Sequence, residues 1–324
     1  MTTDTIDATA ELEKYRGELT GYCYRMLGSA FEAEDAVQEI MVRAWKAIDR
    51  FEGRSSLRTW VYRIASNVCI DMLNGAGKRA RPMDLGPSST ADQLPDAPLP
   101  ENVWMGPIPT DPADEAVASE SIRLAFVAAL QLLPAKQRAV LVLREVLNWS
   151  AAEVAELLDS SVASVNSALQ RARSTMSEIN ERPAEPLNPL DAEQRELLNR
   201  YVTAFESYDM DALTSLLHED AILQMPPLSL WLRTPEQIVA WMLGSGCGCR
   251  GSRMIPTVAN GLPAFGQYRP TETPGLWKPW ALQVLEISDG RITGLNNFLD
   301  TPQFLDAPRL FALFGLPPQI EEAV

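Results

Sequence analysis

Residues 54 to 67 interleave cations with aromatic rings: Arg54, Ser55, Arg58, Trp60, Tyr62, Arg63 and Asn67. Bases stack on aromatic faces while cations follow phosphates, so this mixture suits an unpaired nucleic-acid strand. The stripe extends further, since residues 54 to 81 hold six basic residues against the single acid Asp71. Just upstream, Asp35, Gln38, Glu39 and Val42 recur at helical spacing on one polar-edged face, which suits docking against another helix and equally suits plain solvation. Farther along, Ser164, Asn166, Ser167, Gln170, Arg171 and Arg173 line up hydroxyls, amides and cations. Amides pair well with adenine and hydroxyls are permissive, so this set suits reading base edges. Last come His218, Asp220 and Asp300, titratable groups able to serve as acid or base. His218 and Asp220 also stand at a helix end, where such side chains cap.

The elements that must position these groups follow from periodicity and punctuation. Leu19, Tyr22, Cys23 and Met26, then Val37, Ile40, Met41, Ala44, Trp45 and Ile48, recur at helical spacing, broken by Gly28-Ser29 and Phe51-Glu52-Gly53. Trp45 and Trp60 read as core. Residues 81 to 114 are rich in Pro, Gly, Ser and Asp, which predicts a flexible acidic linker, although Val103-Trp104-Met105 is an apolar island that a pure spacer does not need. Helical periodicity resumes over 115–180. Ser150 with Glu153 is a capping box that starts a helix, and the polar turn Asp159-Ser160-Ser161 leads into a second helix through Arg173. Helix, short turn, helix is the helix-turn-helix plan, whose second helix enters the major groove. A short linker over 181–190, stiffened by Pro183 to Pro189, precedes the rest. There the pattern predicts helices over Ala192–Tyr208, Met210–Leu217 and Pro235–Leu243, and a strand over Ala221–Met225. Strands Leu282–Ile287 and Ile292–Leu299 join through the hairpin signal Asp289-Gly290, and Phe304 to Val324 form a short helix and tail. Helices followed by an antiparallel sheet make residues 191–324 an α+β unit.

With 324 residues the chain can bury more than one core. No stretch reaches the ~20 apolar residues that span a bilayer, and residues 1–14 lack a secretory pattern, so the cytoplasm is the expected compartment. Cys23, Cys69, Cys247 and Cys249 are too few and scattered for a disulfide framework, and one histidine argues against a metal site, so no metal and no cofactor are expected. A net charge of −15 is unusual for a nucleic-acid binder. Its distribution resolves the conflict: residues 82–120 hold eight acids and no base, and residues 183–324 hold seventeen acids against nine bases.

The runs Glu34-Asp35-Ala36-Val37-Gln38-Glu39 through Trp45, and Trp60-Val61-Tyr62-Arg63-Ile64-Ala65-Ser66-Asn67, resemble regions 2.2 to 2.4 of the extracytoplasmic-function (group 4) sigma-70 factors of RNA polymerase. Residues 10–80 are then region 2, and the helix-turn-helix within 115–180 resembles region 4. The resemblance implies that Asp35, Gln38, Glu39 and Arg43 bind the clamp of the polymerase's largest subunit, while region 4 meets the flap. It implies that the loop Glu52 to Ser56 takes a base flipped from the minus-ten element, with Arg54, Ser55, Arg58, Arg63 and Asn67 on that strand. Ser164, Asn166, Ser167, Gln170, Arg171 and Arg173 would read minus thirty-five, with Asn166 and Ala168 standing where the family often carries Lys or Arg. Residues 191–324 resemble the SnoaL-like, cystatin-type cone fused to some such factors. This fold implies an apolar pocket, for which His218, Asp220 and Asp300 are the candidates. The expected function is promoter selection modulated in cis by that third unit, without enzymatic activity; the alternative is an isomerase-like or ligand-sensing cone.

Overall fold

Helix α1 (Arg16–Leu27) stops where Gly28 turns left-handed at φ 74°, and the Gly28 amide donates back to the Tyr24 carbonyl. Glycine is needed there twice over, because a Cβ would also meet the Gln131 side chain at 3.1 Å. Ser29 then caps α2 (Ala30–Ala47), and Ser56 Oγ accepts from the Thr59 amide to start α3 (Leu57–Asn74). The structure, a computed structural model, describes residues 10–74, 77–110, 121–177, 184–189, 191–303 and 309–322. Parts of the two linkers and of the tail lie outside those residues.

α4 (Leu124–Gln131), α5 (Ala135–Leu141), α6 (Ala151–Leu157) and α7 (Val162–Ser177) complete a helical unit with α1 to α3. The capping box forms: the Ser150 amide donates to Glu153 and the Glu153 amide to Ser150 Oγ. Buried Tyr22, Met26, Ile40, Val61, Leu130 and Leu143 supply its core. No helix among the described residues is long and apolar enough to cross a membrane.

The second unit is α+β. Its helices α8 (Ala192–Ser207), α9 (Met210–Leu216) and α10 (Pro235–Leu243) start at Asp191, Asp209 and Thr234, and both aspartates accept first-turn amides. The strands are β1 (Leu217–Gln224), β2 (Trp231–Arg233), β3 (Arg253–Ala259), β4 (Leu262–Pro270), β5 (Leu276–Ser288), β6 (Arg291–Leu299) and β7 (Ile320–Glu321). They order as β2-β1-β6-β5-β4-β3, with β7 beside β5; among the described strands only β1 and β6 run parallel. Asp289 and Gly290, at φ 53° and 67°, make the tight β5–β6 turn. Tyr201, Phe205, Leu213 and Trp241 from the helices share a core with Phe265, Leu285 and Leu295 of the sheet. This is the SnoaL-like α+β cone, with β2, β3, β4 and β7 in addition to the strands legible in the sequence.

Residues 80–110 differ from the flexible spacer that their composition predicts. They belong to the α+β unit as a strap. The Ser89 amide donates to Trp231 O, Ala91 to Gln237 Oε1, Leu99 to Pro227 O and Ile108 to Asn260 Oδ1, while the Trp231 indole donates back to Gly86 O. Trp104, Met105 and Ile108 are buried, which explains the apolar island. Backbone groups in a Pro- and Ser-rich run have no ladder of their own, and here the sheet and α10 satisfy them. The second linker is held in the same way, through Glu185 to Ile287 O and Leu187 to Gly261 O.

Candidate nucleic-acid and polymerase interface

On α2 the pattern Asp35, Gln38, Glu39, Val42 forms one exposed face, buried Ala33, Ala36, Val37, Ile40 and Ala44 forming the other. Arg43 pairs with Glu39 at 2.6 Å across one turn, both side chains exposed. Trp45 departs from the core placement expected of it: it is 52% exposed, three residues beyond Val42 at 44%. Two uncovered apolar side chains thus stand among the polar ones, a combination that solvation alone does not need. Trp60 is half-buried against Phe51, with ring centroids 5.3 Å apart.

The loop before α3 bounds a cavity of about 370 Å³ lined by Arg50, Phe51, Glu52, Arg54, Ser55, Trp60, Arg63 and Glu156. A tilted aromatic pair with three cations offers a stacking surface and phosphate contacts together. Arg54 pairs with Glu52 at 2.6 Å, Arg58 with Glu18 at 2.9 Å, and Asn67 is exposed on the same helix. Part of this surface is already occupied within the unit. Arg58 lies 5.3 Å from the Trp149 ring, Tyr62 packs tilted against Trp149 with centroids 5.1 Å apart, and Arg63 donates to Glu156 O at 3.2 Å. Trp149 and Glu156 belong to the helix-turn-helix segment, and no sequence signal marked this pairing.

In that segment Ser164, Asn166, Ser167, Gln170, Arg171 and Arg173 are all exposed along α7, while Val165, Ala168, Leu169 and Ala172 face inward. Ala168 is therefore not a position from which a cation reads a base. Arg171 donates to Ser167 Oγ and Arg173 pairs with Glu145 at 2.6 Å.

The three candidates of the α+β unit are dispersed. His218 Nδ1 accepts the Asp220 amide on β1, and Asp220 pairs with Arg233 at 2.9 Å in solvent. Asp300 is buried and accepts the Arg309 and Phe311 amides at 3.0 Å, capping the single turn Leu310–Leu313. Burial pushes its carboxyl pKa up, and those amides pull it back. The unit's cavity, about 280 Å³, is lined elsewhere, by Phe205, Trp241, Gln267, Arg269, Trp280 and Asn297 among others.

A cavity lined by aromatic rings and cations, a helix with an exposed polar-apolar face and a helix-turn-helix on one chain are the arrangement of a sigma-70-type promoter-specificity subunit. Residues 12–79 match the family model for Sigma-70 region 2 and residues 123–176 that for Sigma-70 region 4. The chain is 42% identical to the ECF RNA polymerase sigma factor SigG of Mycobacterium tuberculosis, covering 97% of this chain and 85% of that protein. It is 27% identical to SigJ of the same species, over 92% and 94% of the two chains. The crystal structure of that extracytoplasmic function sigma factor SigJ superposes at TM-score 0.61 with 23% identity, over 95% and 99%. The chain belongs to the extracytoplasmic-function sigma factors, which bind core RNA polymerase and promoter DNA to direct initiation.

Proposed function

We propose that α2, through Asp35, Gln38, Glu39, Arg43, Val42 and Trp45, docks on the clamp of the largest polymerase subunit, and that region 4 meets the flap. The cavity before α3 takes a flipped minus-ten base, with Arg54, Ser55, Arg58, Arg63 and Asn67 along its strand. Exposed Ser164, Asn166, Ser167, Gln170, Arg171 and Arg173 read minus thirty-five. The cytoplasm, where polymerase works, is the site of action. What supports these roles is the coincidence of exposure, cavity and chemistry at each position.

The α+β unit acts in cis, and the docked strap carries this reading. The two promoter elements are named for positions about 25 base pairs apart, roughly 85 Å at ~3.4 Å per base pair. In the helical unit Arg63 touches Glu156, so regions 2 and 4 must part by tens of ångströms to hold both elements. Their connection runs through the strap. Docked, the strap contributes a fixed span; released, about 30 residues reach up to ~100 Å. Docking on the α+β unit therefore restrains promoter engagement. Run-off transcription with purified core polymerase on genomic DNA tests the whole reading: the chain should direct initiation at discrete promoters, and no added initiation over core alone would refute it.

A further inference from the structure

The α+β unit's cavity of about 280 Å³ has hydrogen-bonding capacity that the protein itself leaves unused. Most polar groups near it are occupied. Tyr201 donates to Gln283 at 2.6 Å, Gln283 to Gln267 at 2.9 Å, Gln267 to Ser252 at 3.0 Å, and Ser252 to Cys249 O at 2.7 Å. Two atoms stand outside this chain. Asn297 Oδ1 has no partner although the residue is only 7% exposed, and Arg269 Nε has none either. Both residues line the cavity.

Among the described residues Arg269 is the one charged residue in the lining, and no Asp, Glu or His joins it there. Its guanidinium carbon lies over Trp280, 3.3 Å from the ring centroid, and Nη2 donates to Cys249 Sγ at 3.1 Å. Gly248 makes room for it: a Cβ there would meet Nη1 at 3.2 Å. The Cys-Gly-Cys turn thus seats a cation at an apolar cavity. A polar side chain this buried without a partner costs free energy, and a cation with no carboxylate beside it lacks its preferred counterpart.

From these features we infer that the cavity binds a small ring-bearing carboxylate with a hydroxyl on the ring. The carboxylate meets Arg269, whose planar fork suits that group. The ring packs among Phe205, Trp241 and the leucines of the lining, and the hydroxyl serves Asn297, being able to donate or accept. Among the described residues no carboxylate or imidazole lines the cavity to serve as the usual general base, so the site is proposed to bind its occupant rather than turn it over. Leu94 and Pro95 of the strap close part of the wall, so an occupant adds contacts that only the docked strap provides and favours docking. This goes beyond the proposed modulation, and only its last step rests on it.

The test titrates the full-length chain with 4-hydroxyphenylacetate, 4-hydroxyphenylacetamide and phenylacetate by calorimetry. The hydroxy acid should bind one to one, and both analogues should bind about tenfold or more weakly, the range of one charge-assisted or buried hydrogen bond. Arg269→Gln should erase the preference for acid over amide, and Asn297→Leu the preference for the hydroxylated ring. If either variant does not fold, the three-ligand comparison on the unaltered chain decides. Equal affinity for acid and amide, or no binding at millimolar concentration, overturns the inference, and conversion of the probe overturns its non-catalytic part. Binding is read directly, so none of these results bears on promoter engagement by the strap.

Discussion

Trp104→Ala tests whether the strap restrains promoter engagement. Trp104 is 4% exposed, and its indole donates to Leu99 O within the strap. Burial of a whole indole makes it the strap's largest apolar anchor, beside Met105 and Ile108. Removing a buried Trp side chain costs about 3–5 kcal/mol. The strap can open locally, so this loss falls on the docked-to-released equilibrium more than on the unit as a whole. At about 1.4 kcal/mol per decade, ~3 kcal/mol raises the released population roughly 150-fold.

Hydrogen exchange on the full chain reads that population directly. The Leu99 and Ile108 amides, bound to Pro227 O and Asn260 Oδ1, flank Trp104 and should lose about two orders of magnitude of protection. The Glu185 and Leu187 amides, bound to the sheet from the second linker, should keep theirs. Run-off transcription from a matched promoter should rise in the same variant. Released strap amides with unchanged transcription would refute the restraint. Unchanged exchange at Leu99 and Ile108 would refute the anchoring argument itself.

Asp35→Lys with Glu39→Lys should abolish pull-down of core polymerase, while the melting temperature of these exposed sites moves little, since such changes usually cost under ~0.5 kcal/mol. Trp45→Ala should weaken the same pull-down without destabilising, whereas a core tryptophan would cost several kcal/mol. Asn166→Ala or Gln170→Ala should relax selectivity at minus thirty-five by about 1–3 kcal/mol in competition footprints, and Asn67→Ala should impair strand opening while leaving upstream protection. Asp300→Ala should expose the Leu310–Leu313 turn to proteolysis, since two amides lose their acceptor; His218→Ala should leave it intact.

Legibility in the sequence tracked how local the deciding contacts were. The capping box at Ser150, the Asp289-Gly290 turn and the helix Pro235–Leu243 are fixed by neighbours within a few residues, and each stands where the pattern placed it. The strap is the opposite case. Its composition lacks any ladder of its own, and its partners Trp231, Gln237 and Asn260 lie more than a hundred residues away. Trp45 was misplaced because the exposed face of α2 also carries apolar residues, which periodicity cannot tell from core. The cavity escaped for a third reason: Arg269 and Asn297 come from β4 and β6, and their convergence depends on a register through β5. His218, Asp220 and Asp300 were chosen for titratable chemistry, yet each is engaged in a local cap or pair.

On the proposed reading the closed helical unit also has to separate at tolerable cost, and Arg138 points to how. It is 3% exposed, and desolvation lowers its pKa to about 10. No carboxylate accepts from it; the carbonyls of Gln131 and Leu133 and the Gln131 side chain do, at 2.7–3.2 Å, together with the Met26 carbonyl. Met26 lies in the last turn of α1 of region 2 and Gln131 ends α4 of region 4, so the cation sits where the negative ends of two helix dipoles meet. Most of its partners lie in its own region and survive separation. At Arg138, opening therefore forfeits only the Met26 bond, about 1.5–3 kcal/mol for a charged donor, and regains hydration of a cation that burial disfavours. Replacing Arg138 with Ala should instead strip carbonyls on both sides and lower the thermal stability of the helical unit by several kcal/mol. Glu156→Arg removes only the exposed pairing with Arg63 and sets like charges together, so it should leave that stability nearly unchanged and speed capture by core polymerase. Stopped-flow association that is no faster for Glu156→Arg would mean that the region 2 to region 4 contact is not the barrier to engagement.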